Sequence, residues 1–233
     1  MADTPFYLDQ VLFLALPYVA MMIFFLGTIQ RYRAQTFTYS SLSSQFLENR
    51  QHFWGLVPFH FGILVVLAGH VAAFLVPRQI LLWNSRPLRL YILEVSALVF
   101  GLLTLVGLIA SLMRRLGNSK IKKVTSRADW IIYLLLLVQV LSGVYVALFY
   151  PWGSSWFAAA ATPYLWSLLT LNPDISYVWA MPLMVKVHIV NAYLLIGFFP
   201  FSRLVHILVV PNPYLWRKPQ VVRWSYGRGE NAK

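Results

Sequence analysis

The 233-residue sequence contains no cysteine. That excludes disulfides, thiolate-held zinc, iron–sulfur clusters within this chain and haem attached covalently through paired cysteines. Any metal must be held by nitrogen, oxygen or Met sulfur. Charge is also scarce, at 11% of residues against about 25% in an ordinary soluble domain. Such a chain cannot cover a water-facing surface, so lipid must be the solvent for much of it. Only seven residues are acidic against nineteen basic, a formal net charge of +12. The basic residues gather at the ends of apolar runs. This is the positive-inside pattern of membrane proteins and not a groove-reading face, which argues against nucleic acid as a partner. No internal repeat, low-complexity tract or long linker interrupts the chain, so residues 1–233 read as one membrane domain.

What the sequence has in quantity is apolar residues, 59% of the total, with a mean hydropathy of +0.65. A bilayer core takes about 20 apolar residues per helix. Five stretches meet that length: Leu8 to Ile29, Phe53 to Val76, Leu88 to Met113, Trp130 to Tyr150, and Met181 to Val210. The expected fold is therefore an all-α integral membrane bundle of five transmembrane helices. The fifth stretch exceeds a minimal span, and Pro200 is expected to kink it. The opening MADTPFYLDQ has no basic region ahead of its apolar run, so the first segment reads as a retained helix.

Fifteen of the nineteen basic residues fall on one side of these spans: Arg31, Arg33 and Arg50; Arg114, Arg115, Lys120, Lys122, Lys123 and Arg127; and six from Arg203 onward. Arg78, Arg86, Arg89 and Lys186 fall on the other. The positive-inside rule then puts the N-terminus outside and the C-terminus, with a basic tail over 211–233, in the cytoplasm. The outer connection 151–180 carries Trp152, Trp156, Trp166 and Trp179, as expected of an interfacial aromatic belt.

Ionisable residues inside membrane helices are costly and mark functional sites. Two of the five histidines, His60 and His70, lie in the second span; His188 and His206 lie in the fifth; His52 stands at the cytoplasmic edge. Two histidines on each of two antiparallel helices suggest bis-His ligation of two haems. Without cysteine these are held non-covalently and are b-type. Topology pairs His70 with His188 near the outer face, and His60 with His206 near the inner. One spacing is awkward. His60 and His70 are about 15 Å apart along an ideal helix and about 80° apart around it, whereas His188 and His206 are about 27 Å apart on one face.

Gly62, Ala68 and Gly69 are expected to leave room for a flat macrocycle. Arg203 is a candidate for an inner propionate, with Arg114 and Arg115 as alternatives; Arg86, Arg89 and Lys186 are available on the outer side. Glu94 is the one acidic candidate within the spans, too few for a proton-coupled transporter. Transport, or a purely structural anchor with packed histidines, is the competing function class.

FHFGILVVLAGH (59–70) and FPFSRLVHILVVPNPYL (199–215) resemble the haem-binding segments of the gamma subunit of respiratory nitrate reductase. SSQFL (43–47) and TSRADW with the following LLLLVQVLSG (125–143) resemble its first cytoplasmic loop and fourth helix; 78–92 and 151–180 match poorly. The resemblance implies a di-haem cytochrome b. Such a subunit oxidises quinol near the outer haem and passes electrons to an iron–sulfur subunit and a molybdenum subunit that reduces nitrate in the cytoplasm. It assigns His70 and His188 to the outer haem iron and His60 and His206 to the inner, and carries the same unequal spacing. A basic residue after the second helix is implied in quinol binding, leaving Arg86 and Arg89 both open beside His70. A related subunit serving a different reductase has the same membrane module.

Overall fold

A computed structural model describes residues 4–35, 38 and 50–209; the side chains of 4–6 and 50–52, His52 among them, the SSQFL motif and the tail 211–233 lie outside the described residues. Five helices are long and apolar enough to cross a membrane: Tyr7–Ala34, Phe53–Leu75, Pro87–Gly117, Arg127–Phe149 and Leu183–Phe201. Among the described residues there is no strand. Leu64, Val106 and Leu134, each about 60% exposed, face outward from three of these helices. Only a hydrocarbon solvent accepts such a surface, because each helix satisfies its own backbone internally.

The helices form an open arc. The second lies along the third, the third touches the fourth, the fourth packs on the fifth, and the fifth on the first. The second and fifth make no extensive backbone contact. Small residues bring the second and third helices close, as membrane helices require. A Cβ added at Gly107 would stand 2.8 Å from the Gly55 carbonyl oxygen, and one at Gly62 would stand 2.7 Å from that of Phe100. Gly62 is therefore a helix-packing residue facing Thr104, not room for a macrocycle.

The fifth apolar stretch is not one kinked helix over 181–210. Its α-helix runs Leu183–Phe198, continues as a 3₁₀ turn Phe199–Phe201, and breaks at Ser202, whose φ of −107° and ψ of 176° are extended. A separate 3₁₀ segment, Arg203–Leu208, follows. Pro200 cannot donate to the helix ladder, which explains why regular structure stops there. The orphan carbonyls at this end are taken by Arg31 from the first helix. Its guanidinium donates to the oxygens of Pro200 and Ser202, both at 2.7 Å.

The connection 151–180 folds back onto the opposite end of the bundle. Thr162 donates to the Ala73 carbonyl at 3.2 Å, and the Trp166 indole donates to that of Phe74 at 3.1 Å. Two orphan carbonyls at the C-terminus of the second helix are thereby satisfied. Tyr164, fully buried, donates to the Phe13 carbonyl at 2.6 Å, within a π-helical turn of the first helix. Burial, reinforced by the neighbouring Tyr193 hydroxyl, pushes the Tyr164 phenol far above its ordinary value, which keeps it a neutral donor. Glu94 accepts from the backbone N–H groups of Gly153 at 3.1 Å and Ser154 at 2.9 Å. It caps the short helix Gly153–Trp156, which gives this acidic residue a structural duty rather than a place in a proton path.

Candidate functional site

Four histidines meet as two pairs across the gap between the second and fifth helices. The His70 and His188 rings have centroids 6.4 Å apart and planes inclined at 34°. His60 and His206 have centroids 6.3 Å apart and planes inclined at 64°. His60 and His70 stand on the continuous helix Arg50–Leu75. His188 is on the helix Leu183–Phe198, and His206 is on the 3₁₀ segment beyond Ser202. That break resolves the unequal spacing: His206 is not eighteen residues along one straight helix from His188, so the ideal separation of about 27 Å does not apply.

Each ring has a defined tautomeric preference. The Nδ1 atoms of His60 and His70 lie 2.8 Å from the carbonyl oxygens of Leu56 and Val66, and Nδ1 of His206 lies 2.6 Å from that of Arg203. A carbonyl oxygen only accepts, so the proton sits on Nδ1 and Nε2 keeps its lone pair. His188 is held by side chains instead. The Ser142 hydroxyl stands 3.0 Å from its Nδ1, and the Gln139 amide nitrogen is 3.1 Å from its Nε2. Ser142 lies 3.1 Å from the Gln139 carbonyl, to which it donates, so it accepts from His188 Nδ1–H. Asn191 donates to the Gln139 side-chain oxygen at 2.7 Å and to the Leu135 carbonyl at 2.9 Å, fixing which way the Gln139 amide faces. Gly143 lies under the ring: an added Cβ would stand 3.0 Å from His188 Cε1.

These pairs suit a haem iron. An imidazole nitrogen sits about 2 Å from a metal ion it binds and the ring centre about 1 Å beyond, so two imidazoles facing across one ion have centres about 6 Å apart. Both observed separations match. Among the described residues no three His, Asp or Glu side chains cluster, so neither pair is part of a multi-carboxylate ion site. Two imidazoles with no third protein ligand are what a macrocycle supplying four equatorial nitrogens would leave for the protein to provide. Gly69, beside His70, has nothing within 4 Å of where a Cβ would be, in keeping with a flat group lying there.

The candidate cations are distributed differently from expectation. Arg203, expected opposite a propionate, is held by the buried carboxylate of Asp129, with Nε to Oδ1 at 2.7 Å and Nη2 to Oδ2 at 2.8 Å. Lys186 pairs with Asp9 at 2.9 Å. Arg115 donates to the Tyr133 hydroxyl at 3.0 Å and to Thr125 at 2.9 Å, and Arg114 is buried. Arg86 and Arg89 remain exposed at the start of the third helix, Arg89 with its guanidinium 5.2 Å from the centre of the Trp83 ring. Neither makes a hydrogen bond or ion pair with His70, whose ring meets Phe157 of the outer connection at 5.1 Å. Gln139, Ser142, Asn191 and Asp129 had no place in the sequence-based site. Gln139 and Asn191 are lone amides within apolar spans, a signal by which those two could have been found; Ser142 and Asp129 carried none.

A family model described as nitrate reductase gamma subunit matches residues 9–225. The nitrate reductase gamma chain of Bacillus subtilis (strain 168) is 34% identical over 218 residues, covering 92% of this chain and 97% of that protein. The respiratory nitrate reductase 2 gamma chain of Escherichia coli (strain K12) is 31% identical over 226 residues, covering 93% and 97%.

Proposed function

Because this chain belongs to the nitrate reductase gamma-subunit family and is a multi-pass cell-membrane protein, we propose that it is the di-haem, quinol-oxidising subunit of a respiratory nitrate reductase. The observation that carries this reading is the pair of neighbouring imidazoles at each end of one interhelical gap, with ring centres 6.4 and 6.3 Å apart. In it, His70 and His188 hold the outer b haem and His60 and His206 the inner one. Each haem, when bound, supplies a one-electron carrier, so two in series link a quinol site on one face to an acceptor on the other. The iron–sulfur and molybdenum subunits that complete the enzyme lie on the cytoplasmic side, where the positive-inside rule puts the end bearing Arg31, Arg115 and Arg203.

The chain's own residues have three tasks. The carbonyls of Leu56, Val66 and Arg203 and the Ser142 hydroxyl orient the imidazoles and keep their lone pairs on Nε2. Lipid-facing apolar side chains keep water from the gap. Quinol loses two protons as it is oxidised, and these are released on the outer side, where the exposed Arg86 or Arg89 orients a quinol oxygen. His70, the exposed member of the outer pair, borders that same region.

The decisive experiment is a pyridine haemochrome count on purified chain, alone and with each of His60, His70, His188 and His206 changed to Ala. Two b haems, with one lost in each variant and the same one lost by both partners of a pair, is the expected result. Retention of both haems in any variant overturns the ligand assignment. Co-purification of a molybdenum protein distinguishes the nitrate enzyme from a related reductase.

A further inference from the structure

We propose that Asp129 is the positioning residue of the inner histidine pair, acting through Arg203 on His206. The inference rests on the two-haem reading above. His60 and His70 need no outside support, since each ring is oriented by a carbonyl of its own continuous helix. His206 has no such helix. It stands on six residues of 3₁₀ structure entered through the extended Ser202, a conformation whose hydrogen-bond geometry is poorer and which seldom extends further. What orients its ring is the Arg203 carbonyl at 2.6 Å, so the position of residue 203 sets the position of the ligand.

Residue 203 is fixed from the fourth helix. Asp129 is 3% exposed, and both its carboxylate oxygens receive the Arg203 guanidinium, at 2.7 and 2.8 Å. The fork geometry adds direction as well as attraction. Arg203 Nη2 also donates to the Val124 carbonyl at 3.1 Å. The carboxylate is itself oriented by a reciprocal cap: the Ser126 N–H donates to Asp129 Oδ2 at 2.8 Å, and the Asp129 N–H donates to the Ser126 hydroxyl at 3.2 Å. Cap to carboxylate, carboxylate to guanidinium and carbonyl to imidazole are hydrogen bonds, and the covalent side chain of Arg203 joins guanidinium to carbonyl. The outer pair shares none of these links, so loss of the carboxylate acts on one haem and spares the other.

The test uses the full chain in its membrane complex, with Asp129→Asn, Asp129→Glu and Arg203→Lys. Haem is counted, and the two low-spin haem signals are read by electron paramagnetic resonance. Asp129→Asn is expected to lose the inner signal and halve the haem content with the outer signal unchanged. Asp129→Glu restores most of the inner signal. Arg203→Lys keeps the charge but not the fork, and shifts the inner signal while both haems stay bound. Two haems with unaltered spectra in Asp129→Asn overturn the proposal, as does equal loss of both signals, which marks a general folding role. If Asp129→Asn fails to accumulate, an unshifted inner signal in Arg203→Lys overturns it. No haem in the unaltered chain would refute the two-haem reading itself.

Discussion

At the residue scale, the four histidines stood out in the sequence because an ionisable group in an apolar span has few structural uses, and the structure brings them together as two pairs. Their partners were harder to read. Ser142, Gln139 and Asn191 become a site only when the fourth and fifth helices are packed, since Gln139 and His188 are 49 positions apart in sequence. Arg203 was visible as a cation near His206, but its partner Asp129 stood just outside the expected span Trp130 to Tyr150 and was given no role. Ser142 is the clearest residue to test. It accepts from His188 Nδ1, a role that backbone carbonyls play for the other three histidines. Ser142→Ala is therefore expected to weaken outer-haem retention about 10-fold, at the lower end of what outer-shell partners of metal ligands contribute. Haem loss during a detergent wash, followed by absorbance, measures it; an unchanged retention rate would show that Gln139 alone positions the ring.

At the element scale, hydropathy marked five spans because only their length and composition were needed. It did not mark where the fifth one stops, because residues 199–210 are as apolar as the helix before them and the ending depends on a missing N–H at Pro200 and on an acceptor-seeking arginine far away in sequence. Arg31 joins the first helix to that ending through the carbonyls of Pro200 and Ser202. Arg31→Ala leaves both oxygens without this donor, and is expected to destabilise the chain by roughly 1–3 kcal/mol, the cost of unsatisfied buried acceptors. Thermal denaturation in detergent should show a fall of several degrees, with Arg31→Lys recovering only part. Equal stability of Arg31→Ala and the unaltered chain would mean that water or lipid headgroups take over both acceptors. The same terminus precedes the segment bearing His206, so this variant should also loosen the inner pair.

At the scale of the whole molecule, orientation is read from the distribution of basic residues, and the absence of cysteine makes that reading directly measurable. Single cysteines at Ser119, between the third and fourth spans, and at Ser176, in the long connection before the fifth, report on opposite faces. A membrane-impermeant thiol reagent added to intact cells should label Ser176→Cys and spare Ser119→Cys until the membrane is opened. The reverse pattern would invert the topology and move the proposed quinol site to the cytoplasmic face.

The open arc of helices bears on how the protein is made. Its second helix is fastened along the third and meets the fifth chiefly through imidazoles that face one another without packing. On the two-haem reading, a haem held between each histidine pair would tie the second helix to the fifth. Binding stabilises only the closed form, so occupancy and survival rise together. On that reading, cells starved of haem should hold less of this chain, and immunoblotting of membranes with and without haem supply would measure the coupling between cofactor delivery and the lifetime of the bundle.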